Sequence, residues 1–260
     1  MNDAFSRRNF VTAAGIFLAP AAALGDTSAP IPDTFPRQPP ALVREMVIAS
    51  HGNLKLVREL LALHPSLAKA TWDWGFGDWE SCLGAASHTG SREVAELLIA
   101  NGARPSIFSA AMLGQLAVVQ AFVAAQPGIQ RIPGPHGLSL LTHAKFGGKQ
   151  AEPVLRYLES LGDAGSPAAV PITADELKQL TGVYSFGLAP ADKIEVTLSQ
   201  NSLTFTRPGT FGRGLVHLGD RVFHPAGAEA VRIQFAAVEG AMTLTVHDPT
   251  PVLTARRVAG

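Results

Sequence analysis

Ala85-Ala86-Ser87-His88-Thr89-Gly90, then Val94-Ala95-Glu96-Leu97-Leu98-Ile99, then Asn101-Gly102-Ala103, reads as a helix of small residues, a glycine break and an amphipathic helix with large apolar residues. The pattern occurs four times between Ala41 and Gly162. Upstream stands Ile48-Ala49-Ser50-His51-Gly52 with Leu56-Val57-Arg58-Glu59-Leu60-Leu61. Downstream stand Ala110-Ala111-Met112-Leu113-Gly114 with Val118-Val119-Gln120-Ala121-Phe122-Val123, and Leu140-Leu141-Thr142-His143-Ala144-Lys145-Phe146-Gly147 with Val154-Leu155-Arg156-Tyr157-Leu158. A two-helix unit cannot bury its own apolar face. Alanines therefore let the first helices stack closely, while the leucine pairs fill the space between layers. Each glycine is expected where the chain reverses, at positive φ. His51, His88 and His143 fall near these turns and are expected to hydrogen-bond neighbouring loops rather than bind a metal.

This succession resembles the ankyrin repeat family over about half of the chain. The best match runs from Cys82 to Ala103, followed by Arg104-Pro105 where the family has Asp-Pro, and the fourth unit opens with Gly137-Leu138-Ser139-Leu140-Leu141-Thr142-His143-Ala144. The glycines at 52, 90, 114 and 147 are 38, 24 and 33 residues apart, against a family period of about 33. The first interval carries an insertion and the second has lost its hairpin. The resemblance implies an α + β protein whose residues 40–164 form a solenoid of about four repeats that binds a protein partner and performs no chemistry of its own.

All three tryptophans lie in that insertion, Trp72-Asp73-Trp74-Gly75-Phe76-Gly77-Asp78-Trp79. In the resembled fold it would project as a finger. Rigid aromatics there are candidate contact anchors, so Trp72, Trp74, Phe76 and Asp78 are assigned to partner binding. Trp74 and Phe76 could equally fold back over the groove left by the shortened third unit, and Trp79 is expected to pack against its helix. His88, Met112, Gln115 and Lys145 are added as the helix-face part of the groove.

After a linker over 165–172 the texture changes. Thr173-Ala174-Asp175-Glu176 has capping-box spacing before Leu177 and Leu180. Beyond it apolar residues alternate at period two: Ile194, Val196 and Leu198; Leu203 and Phe205; Val231, Ile233 and Phe235; Met242, Leu244 and Val246. With tight turns at Gln200-Asn201 and Glu239-Gly240, residues 173–260 are expected to form a small antiparallel β-barrel or sheet of about seven or eight strands. Leu177-Lys178-Gln179-Leu180-Thr181-Gly182-Val183-Tyr184 resembles the start of a lipocalin-like accessory domain found on serine hydrolases related to β-lactamases. The resemblance implies an interior filled by side chains or holding one small apolar ligand, with Phe205, Phe223 and Phe235 as its lining.

At the start of the chain, Ser6-Arg7-Arg8-Asn9-Phe10 precedes an apolar run and Ala21-Ala22-Ala23, which resembles a twin-arginine export signal over residues 1–25 and implies a periplasmic or secreted protein exported folded. The run is too short and alanine-rich for a stable membrane span. Residues 26–39 read as a proline-rich spacer. Cys82 is the single cysteine, so no internal disulfide forms, and it is expected in the core. With 47% apolar and 16% charged residues the chain has ample core, and its zero net charge with scattered Lys and Arg excludes an electrostatic nucleic-acid footprint.

Catalysis and cofactors are not expected. Ser66-Leu67-Ala68-Lys69 has S-x-x-K spacing but lacks its companion motifs; there is no H-E-x-x-H, no paired-cysteine frame and no G-x-S-x-G elbow. Asp73 and Asp78 are taken as ordinary loop carboxylates, and His136 as a loop residue with no third ligand near it and His143. Protein-partner binding is thus the leading functional expectation. The alternatives are a carrier of a small apolar ligand in the barrel, or a non-catalytic subunit of a periplasmic hydrolase or stress-response complex.

Overall fold

The computed structural model describes residues 35–258. The export signal read over residues 1–25 and most of the spacer over 26–39 lie outside the described residues. The chain opens with helix pairs: α1 (Pro40–Ala49) with α2 (Leu54–Leu63), α3 (Cys82–His88) with α4 (Arg92–Ala100), α5 (Ile107–Met112) with α6 (Leu116–Ala125), and α7 (Leu140–Phe146) with α8 (Glu152–Leu161). The first helices stack in the order α1, α3, α5, α7, while α2 packs on α4 and α6 on α8. Hydroxyl and amide side chains start several of them: Asn53, Ser81, Ser106 and Ser139 each accept a hydrogen bond from a first-turn N–H. Between the first two pairs, β1 (Thr71–Asp73) and β2 (Trp79–Ser81) form an antiparallel hairpin, the insertion read from the sequence.

Packing explains the alanines. Ala85, Ala86, Ala110, Ala111 and Ala144 are buried on the first helices, and Leu60, Leu61, Val94, Leu98, Val154 and Leu158 are buried on the second. The glycines divide into two kinds. Gly90 and Gly114 adopt φ of 71° and 77°, and a methyl group on either would collide with the carbonyl oxygen of Phe146 or Gln150. Gly147, by contrast, is right-handed at φ −68°, and Gly52 also lies outside the left-handed region, so a reversal does not demand positive φ at all four. Gly147 is needed instead for close approach to the Met112 carbonyl and the Ala151 methyl.

The second half begins with α9 (Ala174–Leu180), whose Thr173 and Glu176 form the expected reciprocal cap. Eight strands follow: β3 (Gly182–Ser185), β4 (Lys193–Ser199), β5 (Ser202–Thr206), β6 (Arg213–Gly219), β7 (Val222–Pro225), β8 (Arg232–Val238), β9 (Ala241–Asp248) and β10 (Thr250–Val258). They form a closed antiparallel barrel in chain order, sealed by β10 against β3 with Arg257 opposite Tyr184. Gln200-Asn201 turns with φ of 48° and 62°, the two left-handed residues that match a hairpin's twist. Phe205, Phe223 and Phe235 are buried in the interior, with Phe223 and Tyr184 each set edge-on to Phe235. Leu177 and Leu180 of α9 join this core, and the Tyr184 hydroxyl donates to the Leu180 carbonyl at 2.7 Å. Among the described residues no helix is long and apolar enough to cross a membrane.

Two outcomes follow from this packing. Gly90→Ala and Gly114→Ala should each lower the unfolding free energy by about 2 kcal/mol, whereas Gly52→Ala, where an added methyl meets nothing nearer than Ser91 Oγ at 3.5 Å, should leave it almost unchanged in chemical denaturation. Cys82 is fully buried with its thiol on the Leu67 carbonyl, and burial pushes its pKa up to about 12. A thiol reagent at pH 8 should therefore label it only after unfolding, which mass spectrometry would read.

Candidate functional site between the helices and the barrel

The hairpin does not project into solvent. Gly75, Phe76 and Gly77 all take positive φ, bending the loop sharply, and Asp73 Oδ1 accepts the Gly75 N–H at 2.8 Å to hold the bend. Phe76 thereby reaches the barrel core, edge-on to Phe205 with ring centroids 5.8 Å apart. Trp74 meets Phe211, the residue two before β6, in the same way at 5.4 Å. Trp72 packs half-buried on the helical core. The finger assigned to a partner is thus a clamp on the chain's own barrel. Trp79 is the exception to its expectation: it is 62% exposed, because the side chains one residue to either side, Asp78 and Glu80, take the inward face.

Those two carboxylates organise the junction. Asp78, assigned from the sequence to partner binding as a carboxylate of an exposed loop, is instead 3% exposed, because its partners lie within the chain. It accepts from the His136 backbone N–H at 2.9 Å, from His136 Nδ1–H at 2.6 Å and from the Arg213 guanidinium. Arg213 opens β6 and also donates to the Gly75 carbonyl at 3.3 Å. Burial alone would raise the Asp78 pKa, but the His136 and Arg213 hydrogen bonds outweigh it and hold the carboxyl below its usual value. The barrel's Gly227 lies so close to Asp78 and to His136 that any side chain there would clash with both.

Glu80 has no exposed surface. Its Oε2 accepts from Trp74 Nε1–H at 2.7 Å, and its Oε1 from His88 Nε2 at 2.6 Å, with His136 Nε2 3.3 Å away. His51 Nε2 stands 3.6 Å from Oε2, while its Nδ1 faces the Val47 carbonyl at 3.0 Å. Desolvation works to raise the Glu80 pKa, yet hydrogen bonds from His136 and His88 and the nearby charge of His136 bring it down to about 2. His136 answers in kind. Burial would lower its pKa, but the two carboxylates lift it to about 9, so in this form it is an imidazolium joining helical half to hairpin.

The expectation that His136 lies away from other metal-ligating groups is overturned. The short helical turn Pro135–Gly137 presents it, at φ 59°, directly to Asp78 and Glu80. His51, Glu80, His88 and His136 each offer one ligand atom, and these atoms lie within 4.8 Å of one another; they are the residues among those described that could hold a metal ion. His143 stands next in the stack, its ring 6.5 Å from that of His88, with Nδ1 on the Ser139 carbonyl and Nε2 buried without a partner. Burial pushes its pKa down to about 4, so it is neutral.

Beside this cluster is a cavity of about 450 Å³ bounded by Ile48, His51, Trp74 and His136 from the helical half and by Phe211, Arg213 and Ala226 from the barrel. The Arg44 guanidinium sits 5.8 Å from the Trp74 ring and 5.5 Å from that of Phe211, at the distance of a cation–π contact with both. Of the helix-face residues assigned to a partner groove, His88 turns to Glu80, and Gln115 and Lys145 are exposed. Met112 cannot take part: it is fully buried, because its long side chain fills the helical core. Ser66 and Lys69 fall in the short helical turn Pro65–Lys69 whose Leu67 and Ala68 are buried.

Glu80, Arg213, His51 and His136 were not singled out as site residues by sequence. Two signals existed. Asp78 and Glu80 are two apart in a strand-like stretch and so share a face. His51 and His88 occupy matching repeat positions, which stacking turns into neighbours with ring centroids 5.0 Å apart.

Because the Asp78 carboxylate is buried against Arg213 and His136, Asp78→Ala should cost about 3–5 kcal/mol in urea unfolding. Combining Asp78→Leu with Arg213→Met should cost less than the two single changes added together, by about 1–3 kcal/mol of coupling.

Comparison with protein-family models, with curated proteins and with solved structures gives no match, so the functional reading rests on this junction alone.

Proposed function

We propose that the helix pairs are an ankyrin-type array whose recognition face is covered by the chain's own lipocalin-like barrel, and that the cavity between them takes up a small organic molecule. The observation carrying this reading is the cavity of about 450 Å³ at the junction, with apolar walls from both halves and few polar groups converging on it. Ligand sites typically measure about 300–1,000 Å³, favour such interfaces and have this lining. Ile48, Trp74 and Phe211 supply apolar contact area, while His51, His136 and Arg213 give the cavity its polar edge. That division suits a molecule with an aromatic or aliphatic body and one carboxylate or similar oxygen at its end. Reading residues 1–25 as a twin-arginine signal puts the binding step in the periplasm or outside the cell. On this reading the protein is a receptor or carrier, and no bond-making step is assigned to it.

Capture of a protein partner is the second reading, favoured by Trp79, a large aromatic 62% exposed on the hairpin.

The first reading is tested by thermal unfolding against a panel of aromatic and aliphatic carboxylates with their neutral amides. A ligand at a hundred times its Kd should add about 2.7 kcal/mol, several degrees for a chain of this size. Trp74→Ala with Phe211→Ala should abolish the shift. No shift with any compound, or one that survives the double substitution, would count against the cavity as the binding site.

A further inference from the structure

The histidine cluster gathers several ligand-type groups on one buried carboxylate. His136 stands between Asp78, which Arg213 also grips, and Glu80, with Nδ1 2.6 Å from the first and Nε2 3.3 Å from the carboxylate of Glu80. His88 and His51 also turn Nε2 toward the same carboxylate, from the end of α3 and from the turn between α1 and α2. Four elements converge on one point, three of them widely separated in sequence. We propose that His51, Glu80, His88 and His136 form a mononuclear site for a divalent transition-metal ion of the zinc class, and that the ion borders the ligand cavity.

Three independent features support it. The first is spacing. Metal–nitrogen and metal–oxygen bonds of about 2.0–2.1 Å in a tetrahedron separate the ligand atoms by about 3.3 Å. The distances from Glu80 oxygens to the three Nε2 atoms are 2.6, 3.3 and 3.6 Å, and the whole set lies within 4.8 Å. Those separations bracket the tetrahedral value. The second is the outer shell. Metal-binding imidazoles characteristically donate their other N–H to a carbonyl or carboxylate, which fixes the ring and frees the second nitrogen. Here His51 Nδ1 faces the Val47 carbonyl at 3.0 Å, and His136 Nδ1 the Asp78 carboxylate at 2.6 Å, with Arg213 anchoring that carboxylate in turn.

The third is access. His51 and His136 also line the 450 Å³ cavity, so an ion between them would face it on one side, whereas Glu80 is sealed behind. Three imidazoles and one carboxylate make a borderline donor set that suits zinc, and also ferrous, nickel or cupric ions, and disfavours calcium or magnesium, which want oxygen. By expanding to a fifth ligand on the cavity side, the ion would hold the oxygen end of the molecule whose body rests on Trp74 and Phe211. This step rests on the cavity reading, but the metal site itself does not.

The test uses full-length protein stripped with a chelator and titrated with zinc sulfate in the absence of any organic compound. One ion per chain should bind, with an X-ray absorption spectrum showing nitrogen and oxygen neighbours near 2.0 Å and imidazole scattering. His51→Ala and His88→Ala should each weaken binding by at least tenfold, while His64→Ala, a histidine at the end of α2 outside the cluster, should leave it unchanged. Circular dichroism establishes that each variant is folded. If His88→Ala fails to fold, His51→Ala, at a half-exposed turn, and the wild-type spectrum decide alone. Sub-stoichiometric binding to folded wild-type protein, or binding indifferent to His51, would overturn the proposal. A failed ligand panel with intact zinc binding would remove the cavity reading only, and the reverse result would remove the metal only.

Discussion

One buried carboxylate holds the two halves of this molecule in register. Asp78 belongs to the hairpin, yet its partners are His136 from the turn before α7 and Arg213 from the first residue of β6. An unpaired charge at 3% exposure would be costly, so these three groups cannot separate without a large penalty. Gly227 allows the barrel loop to come close enough for the arrangement to exist. The cavity between the helical half and the barrel, lined by both His136 and Arg213, depends on that contact.

The scaffold was legible because each half is built from one short-period rule. Recurrence of alanines, glycines and leucine pairs between Ala41 and Gly162 announced the helix pairs, and strict alternation at Ile194, Val196 or Ile233, Phe235 announced strands. Periodic burial is a local property, so it can be read from a window of residues. The hairpin insertion and the capping box at Thr173 were legible for the same reason.

The site was not, because its logic is non-local. Residues 51, 78, 80, 88, 136 and 213 meet only through the stacking of α1 on α3, the bend at Gly75 to Gly77 and the docking of the barrel. Reading the tryptophan loop as a finger correctly recognised that its aromatics bury area, but sequence alone could not say against what. The occupants of that face turned out to be Phe205 and Phe211 of the same chain. Met112 shows the opposite limit: helix periodicity named the right helix but not which way the side chain turned.

The composite origin of the cavity has a consequence for quality control. Its walls run from Ile48 near the start of the described chain to Ala226 deep in the second half. A polypeptide released early from the ribosome, even one that completes all eight of its first helices, would carry only half a pocket and an Asp78 with no arginine. The pocket is therefore complete only after β6 and the loop following β7 have been made and docked, and a fragment ending before the barrel lacks it.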